Sequence, residues 1–412
     1  MGSNDRETNQ RAQVLGLLFV LAGAALIGCF WAVGETHLSG YAKGFGSIGL
    51  PTMRAMYFIG FWTILGGIAA ALMSLGGLFI IQHRLARPSK STAPSINRRL
   101  LLVGIFLAAL LPLLVRLLVL QHAPVTDDES AYRFMAELLS AGQLQAQSVP
   151  VPLKLFFDRF QMVNDGDWYA QYFVGWPALM VPGVWLGIEE WMNILYSAAA
   201  IPPLYLTAHR LWDPRSAGMA ILFYLASPFL IAAAATMGAH TSCFAALAWT
   251  LWAFVESRRN DAPWWWHTGF AVGFSIAFFI RPLTALGIGL PLLIVWLSDR
   301  WGEDRGEAAL NLAAFGLPAV AFAGLFLGVN FVQTGSPLEV AYTSFLDYAR
   351  ENGGRFMGIR DPQRDRVPNL AFGSLASRAS LLATALVRFE FSLFGWPFSL
   401  LFIWFSGLND DA

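Results

Sequence analysis

The residues of this chain best suited to chemistry are three consecutive acids, Asp127-Asp128-Glu129. They follow a long apolar run, 100–120, by only a few positions. A carboxylate held at a membrane surface is suited to act as a general base, a role that typically contributes ~10²–10⁴-fold to rate. The same residues have a structural explanation. Thr126-x-x-Glu129 fits a capping box, and acids favour helix N-termini through the macrodipole. The two readings are compatible.

A second group is cationic. His240 lies in Gly238-Ala239-His240-Thr241, and Arg281 precedes Pro282; both interrupt apolar sequence. Arginine is a strong phosphate binder when its fork engages two oxygens. A cation at a span end also serves as a plain interfacial anchor. Lys154 and Arg159 are further cations able to meet a phosphate, although isolated surface cations usually do nothing specific. Arg116 falls inside the run 100–120, where a cation marks a functional site unless it snorkels to the headgroups. A third group is aromatic. Asp165 and Asp167 precede Trp168-Tyr169-Ala170-Gln171-Tyr172, followed by Gly175-Trp176-Pro177, which reads as an Asp/Gly turn leading into an interfacial aromatic belt.

These side chains are carried by a very apolar polypeptide. Of 412 residues, 56% are hydrophobic and 13% charged, far from the balance of a soluble domain of this length. The apolar residues form runs of about 18 or more, long enough to cross ~30 Å of hydrocarbon as helices. Alternating ten-residue segments are absent, which argues against a β-barrel. The expected fold is an all-α, polytopic transmembrane bundle. Spans are expected near 12–33, 55–82, 100–120, 191–209, 217–237, 241–257, 264–280, 283–298 and 308–331, with a tenth within 383–407. The net charge of zero gives no electrostatic footprint for nucleic acid. Cys29 and Cys243 both sit in apolar runs, as small buried hydrophobes. The first run lacks an A-x-A-like cleavage site and reads as a retained helix.

Charge bias sets the orientation. The 83–99 loop carries Arg84, Arg87, Lys90, Arg98 and Arg99 and is expected in the cytoplasm. The 121–170 segment, with seven acids and three bases, then lies outside. The apolar stretch 172–188 is short and rich in Gly and Pro. If it lies in the outer interface or is re-entrant, the basic turns Arg210/Arg215, Arg258/Arg259 and Arg300/Arg305 all fall inside. This gives ten spans with cytoplasmic termini, although the outer loop 332–382 carries six arginines against the rule. The acids, His240 and Arg281 then share the outer face. The segment from Ser130 to Leu139 places Ala131, Met135, Leu138 and Leu139 on one face and Arg133 and Glu137 on another, an amphipathic interfacial helix. No P-loop, G-x-G-x-x-G after a strand, H-E-x-x-H or G-x-S-x-G is present.

Taken together, these motifs resemble the GT-C superfamily of membrane glycosyltransferases, in particular bacterial proteins similar to protein O-mannosyltransferases and the lipid A aminoarabinose transferase. The pattern runs over roughly 100–400. It comprises Asp128-Glu129-Ser130-Ala131-Tyr132 continuing to Ala141-Gly142, then Trp168 to Tyr172, Gly175-Trp176-Pro177, Ala226-Ser227-Pro228, Met237 to His240, Arg281-Pro282 and Gly335-Ser336-Pro337. Many relatives have a double proline before Gly-Trp-Pro; here Phe173-Val174 stands in its place. The resemblance implies a core at 100–412 and a two-span extension with a basic cytoplasmic loop at 1–99. Relatives continue past the tenth span while this chain stops at Asp411-Ala412, which leads to the expectation of a shortened core.

The implied reaction is transfer of a sugar from polyprenyl phosphate to a hydroxyl of a glycan, lipid or protein, with inversion, at the outer (periplasmic) face of a bacterial inner membrane. The resemblance makes Asp128 the base, with Glu129 or Asp127 orienting it or holding a divalent ion; no sequence feature requires a metal. It assigns the donor phosphate to Arg281, His240 and Lys154, and a substrate loop to Trp168, Tyr169 and Tyr172. Two other classes stay open. One is a lipid or sugar transporter, for which Arg116 and the span count speak and the lack of internal repeats speaks against. The other is a non-catalytic relative in envelope assembly.

Overall fold

The computed structural model describes residues 96–150, 153, 161–259, 261–300 and 302–351, together with part of 14–25. The expected spans at 55–82 and 383–407, most of 12–33, and Lys154 and Arg159 lie outside the described residues. What is described is helical apart from one small sheet, in keeping with an all-α bundle.

Helix α1 (Arg98–Leu114) is capped by the Asn97 side chain, which accepts from the Leu100 N–H at 3.1 Å. After Pro112 it widens into a π-helical turn, Val115–Val119. Gln121 and His122 then take left-handed backbone angles and turn the chain away sharply. Helix α2 (Asp127–Ser140) begins five residues later, with Asp127, Asp128 and Glu129 in its first turn. It buries Ala131, Tyr132, Met135 and Ala136 and leaves Arg133 and Glu137 exposed as an i,i+4 pair at 3.0 Å. Its amphipathic division thus follows the expected faces.

Three short antiparallel strands follow, in the order β1-β3-β2: β1 (Ala146–Gln147), β2 (Met162–Asp165) and β3 (Asp167–Ala170). The Asp/Gly turn is the tip of the β2–β3 hairpin, where Gly166 supplies a φ of +75°. No strand was expected here. Segments of four residues leave too short an alternation to register against long apolar runs. The hairpin packs through Val163 and Tyr169 onto Met135 of α2 and Phe345 of α11 (Ala341–Glu351).

The stretch 172–188 contains helix α3 (Gly175–Leu186), ending at Gly187. At ~1.5 Å per residue its twelve residues rise about 18 Å, well short of a ~30 Å hydrocarbon core. Next come α4 (Met192–Leu211), α5 (Pro214–Ala226), α6 (Pro228–Ala235), α7 (His240–Ser257), α8 (Trp264–Ile280), α9 (Pro282–Arg300) and α10 (Arg305–Thr334). The single span expected at 217–237 is instead the pair α5 and α6, bent by 61°. The reason is local: Ser227 is extended before Pro228, as the proline ring demands, and its hydroxyl caps α6.

Among the described residues three helices, α1 with its π-turn, α9 and α10, are long and apolar enough to cross a membrane; the α5–α6 pair makes a fourth if it is one broken span. α1 and α10 expose Leu102, Phe106, Leu118, Leu317 and Val320 outward, as lipid-facing helices do. Opposite the α7 N-terminus, ion pairs gather where α4, α7 and α9 end and α10 begins. They are Arg210–Glu256 (2.9 Å), Arg258–Asp299 (2.5 Å) and Arg300–Glu303 (2.9 Å).

Candidate active site

The three acids have three different environments. Asp127 is exposed at the start of α2. Glu129 is 1% exposed, and its carboxylate faces inward. One oxygen accepts from the N–H groups of Val125 (2.7 Å) and Thr126 (3.3 Å), the reach-back half of a capping box. The other accepts from the Met237 N–H at 3.0 Å and lies 3.8 Å from Arg116. Glu129 therefore joins the start of α2 to the α6–α7 break.

Arg116 neither snorkels nor stands open to a ligand. It is 1% exposed and donates to Glu190 (3.0 Å) and to the carbonyls of His122 (3.1 Å) and Ala123 (3.3 Å). It thereby satisfies carbonyls left over where the π-turn ends. His122 meets the same Glu190 carboxylate at 3.0 Å. The functional expectation for Arg116 is corrected by saturation: its donors already serve the fold.

Asp128 is half-buried and faces the other way. The Gln161 amide donates to its Oδ1 at 2.5 Å, and the Asp128 charge acts on the Tyr172 phenol. The rings of Tyr172 and Tyr132 pack at 4.5 Å between centroids. Burial pushes both phenols far above the usual tyrosine range. The Asp128 charge adds to this, while Arg281 works against it at Tyr132. Both phenols therefore stay protonated. Arg281 and Asp128 also both act on His240 electrostatically, so all three belong to one cluster.

Arg281 ends α8 outside the helical region, which the following Pro282 disfavours. Its Nη1 donates to His240 Nδ1 at 2.7 Å. Accepting that bond requires an unprotonated Nδ1. Among the described residues, Arg281 has no carboxylate partner, whereas Arg116, Arg133, Arg210, Arg258, Arg259 and Arg300 all have one. Arg98, Arg99, Arg215 and Arg305 also lack one but are exposed to solvent or lipid, while Arg281 is half-buried in the cluster.

The supports are specific. Trp176 is fully buried and donates to the Met237 carbonyl at 2.6 Å. Asn193 donates to the carbonyls of Thr236 and Gly238, each at 2.7 Å. With Glu129 on the Met237 N–H, side chains from α2, α3 and α4 pin the break that presents His240. Gly175 fixes the distance between α3 and Arg281: a Cβ there would sit 2.4 Å from the Phe279 carbonyl carbon.

Of the expected site residues, Asp128, Tyr172, His240 and Arg281 come together. Glu129 lies behind them, Asp127 at the rim. Trp168 packs on Phe134 at 4.5 Å, and Tyr169 is buried with its hydroxyl 2.8 Å from Ser344. These two hold the hairpin to its neighbours. Gln161, Glu190 and Asn193 were not singled out by sequence. An amide in the apolar run 191–209 was the one available signal, and it pointed to Asn193. No group of three or more His, Cys, Asp or Glu among the described residues is placed to hold a metal ion.

Residues 190–323 match the family model described as dolichyl-phosphate-mannose-protein mannosyltransferase. The match supports a membrane glycosyltransferase of the GT-C type. It covers α4 to most of α10, and so includes His240 and Arg281 but not Asp128. No curated protein and no solved structure matches the chain.

Proposed function

We propose that this chain transfers a sugar from a polyprenyl-phosphate donor to a hydroxyl acceptor, with inversion, at the outer face of the membrane. The observation that carries this reading is the gathering of Asp128 and the Arg281–His240 pair around the buried Tyr132. Displacement at an anomeric carbon needs a base on the attacking side and a charge-stabilising group on the leaving side.

In this scheme Asp128 takes the acceptor O–H proton. The acceptor oxygen forms a bond to the anomeric carbon, and the bond from that carbon to the phosphate oxygen breaks with its electron pair. Polyprenyl phosphate leaves onto Arg281, the half-buried arginine with donors to spare. His240 holds the Arg281 fork, and Gln161 holds the Asp128 carboxylate. Lys154 is a further candidate for the phosphate from the adjoining segment. Residues 100–412 form the catalytic core in this reading, with 1–99 an extension, in a multi-pass bacterial plasma-membrane protein.

The test uses the full chain in lipid nanodiscs with polyprenyl-phosphate mannose and a panel of other polyprenyl-phosphate hexoses. Release of polyprenyl phosphate should match formation of a glycoside of inverted anomeric configuration. Flux of intact donor across proteoliposomes with no release would replace this reading by transport.

A further inference from the structure

Two glutamines beside Asp128 have buried oxygens with no assigned work. Gln161 directly precedes β2, and Gln171 directly follows β3. In the hairpin register Met162 faces Ala170, so Gln161 and Gln171 form the next cross-strand pair, joined by a 2.9 Å bond from the Gln171 N–H to the Gln161 carbonyl. Gln161 is 9% exposed and Gln171 4% exposed.

The Gln161 amide nitrogen is committed. Gln161 Nε2 donates to Asp128, which as a carboxylate only accepts and so fixes which way that amide points. Gln171 is followed directly by Tyr172, whose phenol the Asp128 charge acts on. Both Oε1 atoms are buried without a partner. Buried acceptors are ordinarily satisfied, and two orphans on backbone-paired residues at the open end of the hairpin call for a ligand that donates. Gln161 also sits at φ +77°, a conformation rare for residues other than glycine and concentrated at functional sites.

From this we infer that Gln161 and Gln171 form a hydroxyl-binding subsite, in which the two Oε1 atoms accept hydrogen bonds from ring hydroxyls of a carbohydrate seated against Asp128. The inference rests on the transferase reading for the nature of the ligand. Acceptors alone select O–H donors, and a sugar ring presents several at adjacent positions. The carbohydrate is either the transferred sugar or a glycan acceptor; the chemistry is the same.

Binding, independent of turnover, tests it. One arm measures affinity of the full chain in nanodiscs for a polyprenyl-phosphate hexose and its monodeoxy series. A second arm measures a methyl hexoside and its monodeoxy series. In one arm, loss of a single hydroxyl should weaken wild-type binding at least about tenfold, because a buried acceptor is left unpaired. Gln171→Met, close in shape but without the acceptor, should weaken the parent ligand by a similar factor while binding that deoxy analogue as the wild type does. Wild-type affinities that are flat across both series would overturn the subsite without any variant. So would Gln171→Met retaining full discrimination. Discrimination without release of polyprenyl phosphate would keep the subsite and sink the transferase reading instead.

Discussion

At the scale of single residues, Arg116 and Arg281 divide what the sequence offered as two intramembrane or edge cations. Arg116 is enclosed by Glu190, Glu129 and two carbonyls, and its charge is used up by the fold. Among the described residues Arg281 shares a donor only with His240, and in the proposed reaction the rest of its fork serves the leaving phosphate. Arg281→Gln should therefore lower kcat for donor cleavage by ~10²–10³-fold, the range for losing one stabilising donor. Its thermal unfolding temperature should stay near the wild-type value, because no carboxylate is orphaned. Arg281→Lys should recover only part of the rate, since a point charge replaces a fork. Steady-state release of polyprenyl phosphate, with unfolding monitored in parallel, checks both; a stable variant at full rate would remove Arg281 from the site. The acidic triplet divides in the same manner. Its sequence showed a cap and a base as compatible readings, and the side chains separate them, Glu129 inward and Asp128 toward the tyrosines.

At the scale of elements, the cluster depends on breaks held by side chains far away in sequence. Glu129 contacts Met237, 108 positions on. Glu129→Gln keeps the shape but removes the charge facing Arg116, and breaking a buried pair costs about 3–5 kcal/mol when nothing replaces it. Glu190 still serves Arg116, so the loss should fall at the low end. It should appear as a lower unfolding temperature in detergent, together with reduced turnover, because the His240 break loses one of its three supports. An unchanged unfolding temperature would contradict the latch. Gly175→Ala makes a sharper case. A methyl 2.4 Å from the Phe279 backbone has no room, and backbone yields less readily than a flexible side chain. This substitution should destabilise by about 1–3 kcal/mol and displace Arg281, lowering turnover more than donor binding. A kcat/KM split measured at a temperature where the variant is folded tests that.

Local spacing made the Glu129 cap, the amphipathic α2 and the Asp/Gly turn legible. The contacts from Glu129 to Met237, from Trp176 to Met237 and from Gly175 to Phe279 were not, because each joins segments tens of residues apart. Gln161 was invisible for another reason. An amide carries no charge to stand out in a pattern, and its contact with Asp128 depends on a left-handed turn.

At the scale of the whole molecule, length and apolarity carried most of the helix order, since a run of ~20 apolar residues has few alternatives to a helix in lipid. The expected runs at 191–209, 241–257, 264–280, 283–298 and 308–331 fall on α4, α7, α8, α9 and α10. The break at Pro228 and the small sheet did not show in hydropathy. The ion pairs between the α4, α7 and α9 ends stand opposite the His240–Arg281 cluster, which gives the bundle two unlike faces. The family match over 190–323 takes in the cationic half of that cluster. The acidic half rests on geometry, and the most direct measurement is aimed there. In single-turnover reactions of nanodisc-embedded protein with a polyprenyl-phosphate sugar, the wild type should release polyprenyl phosphate. Asp128→Asn should do so ~10²–10⁴-fold more slowly with donor binding retained. Release by Asp128→Asn at the wild-type rate would contradict the assignment of the base.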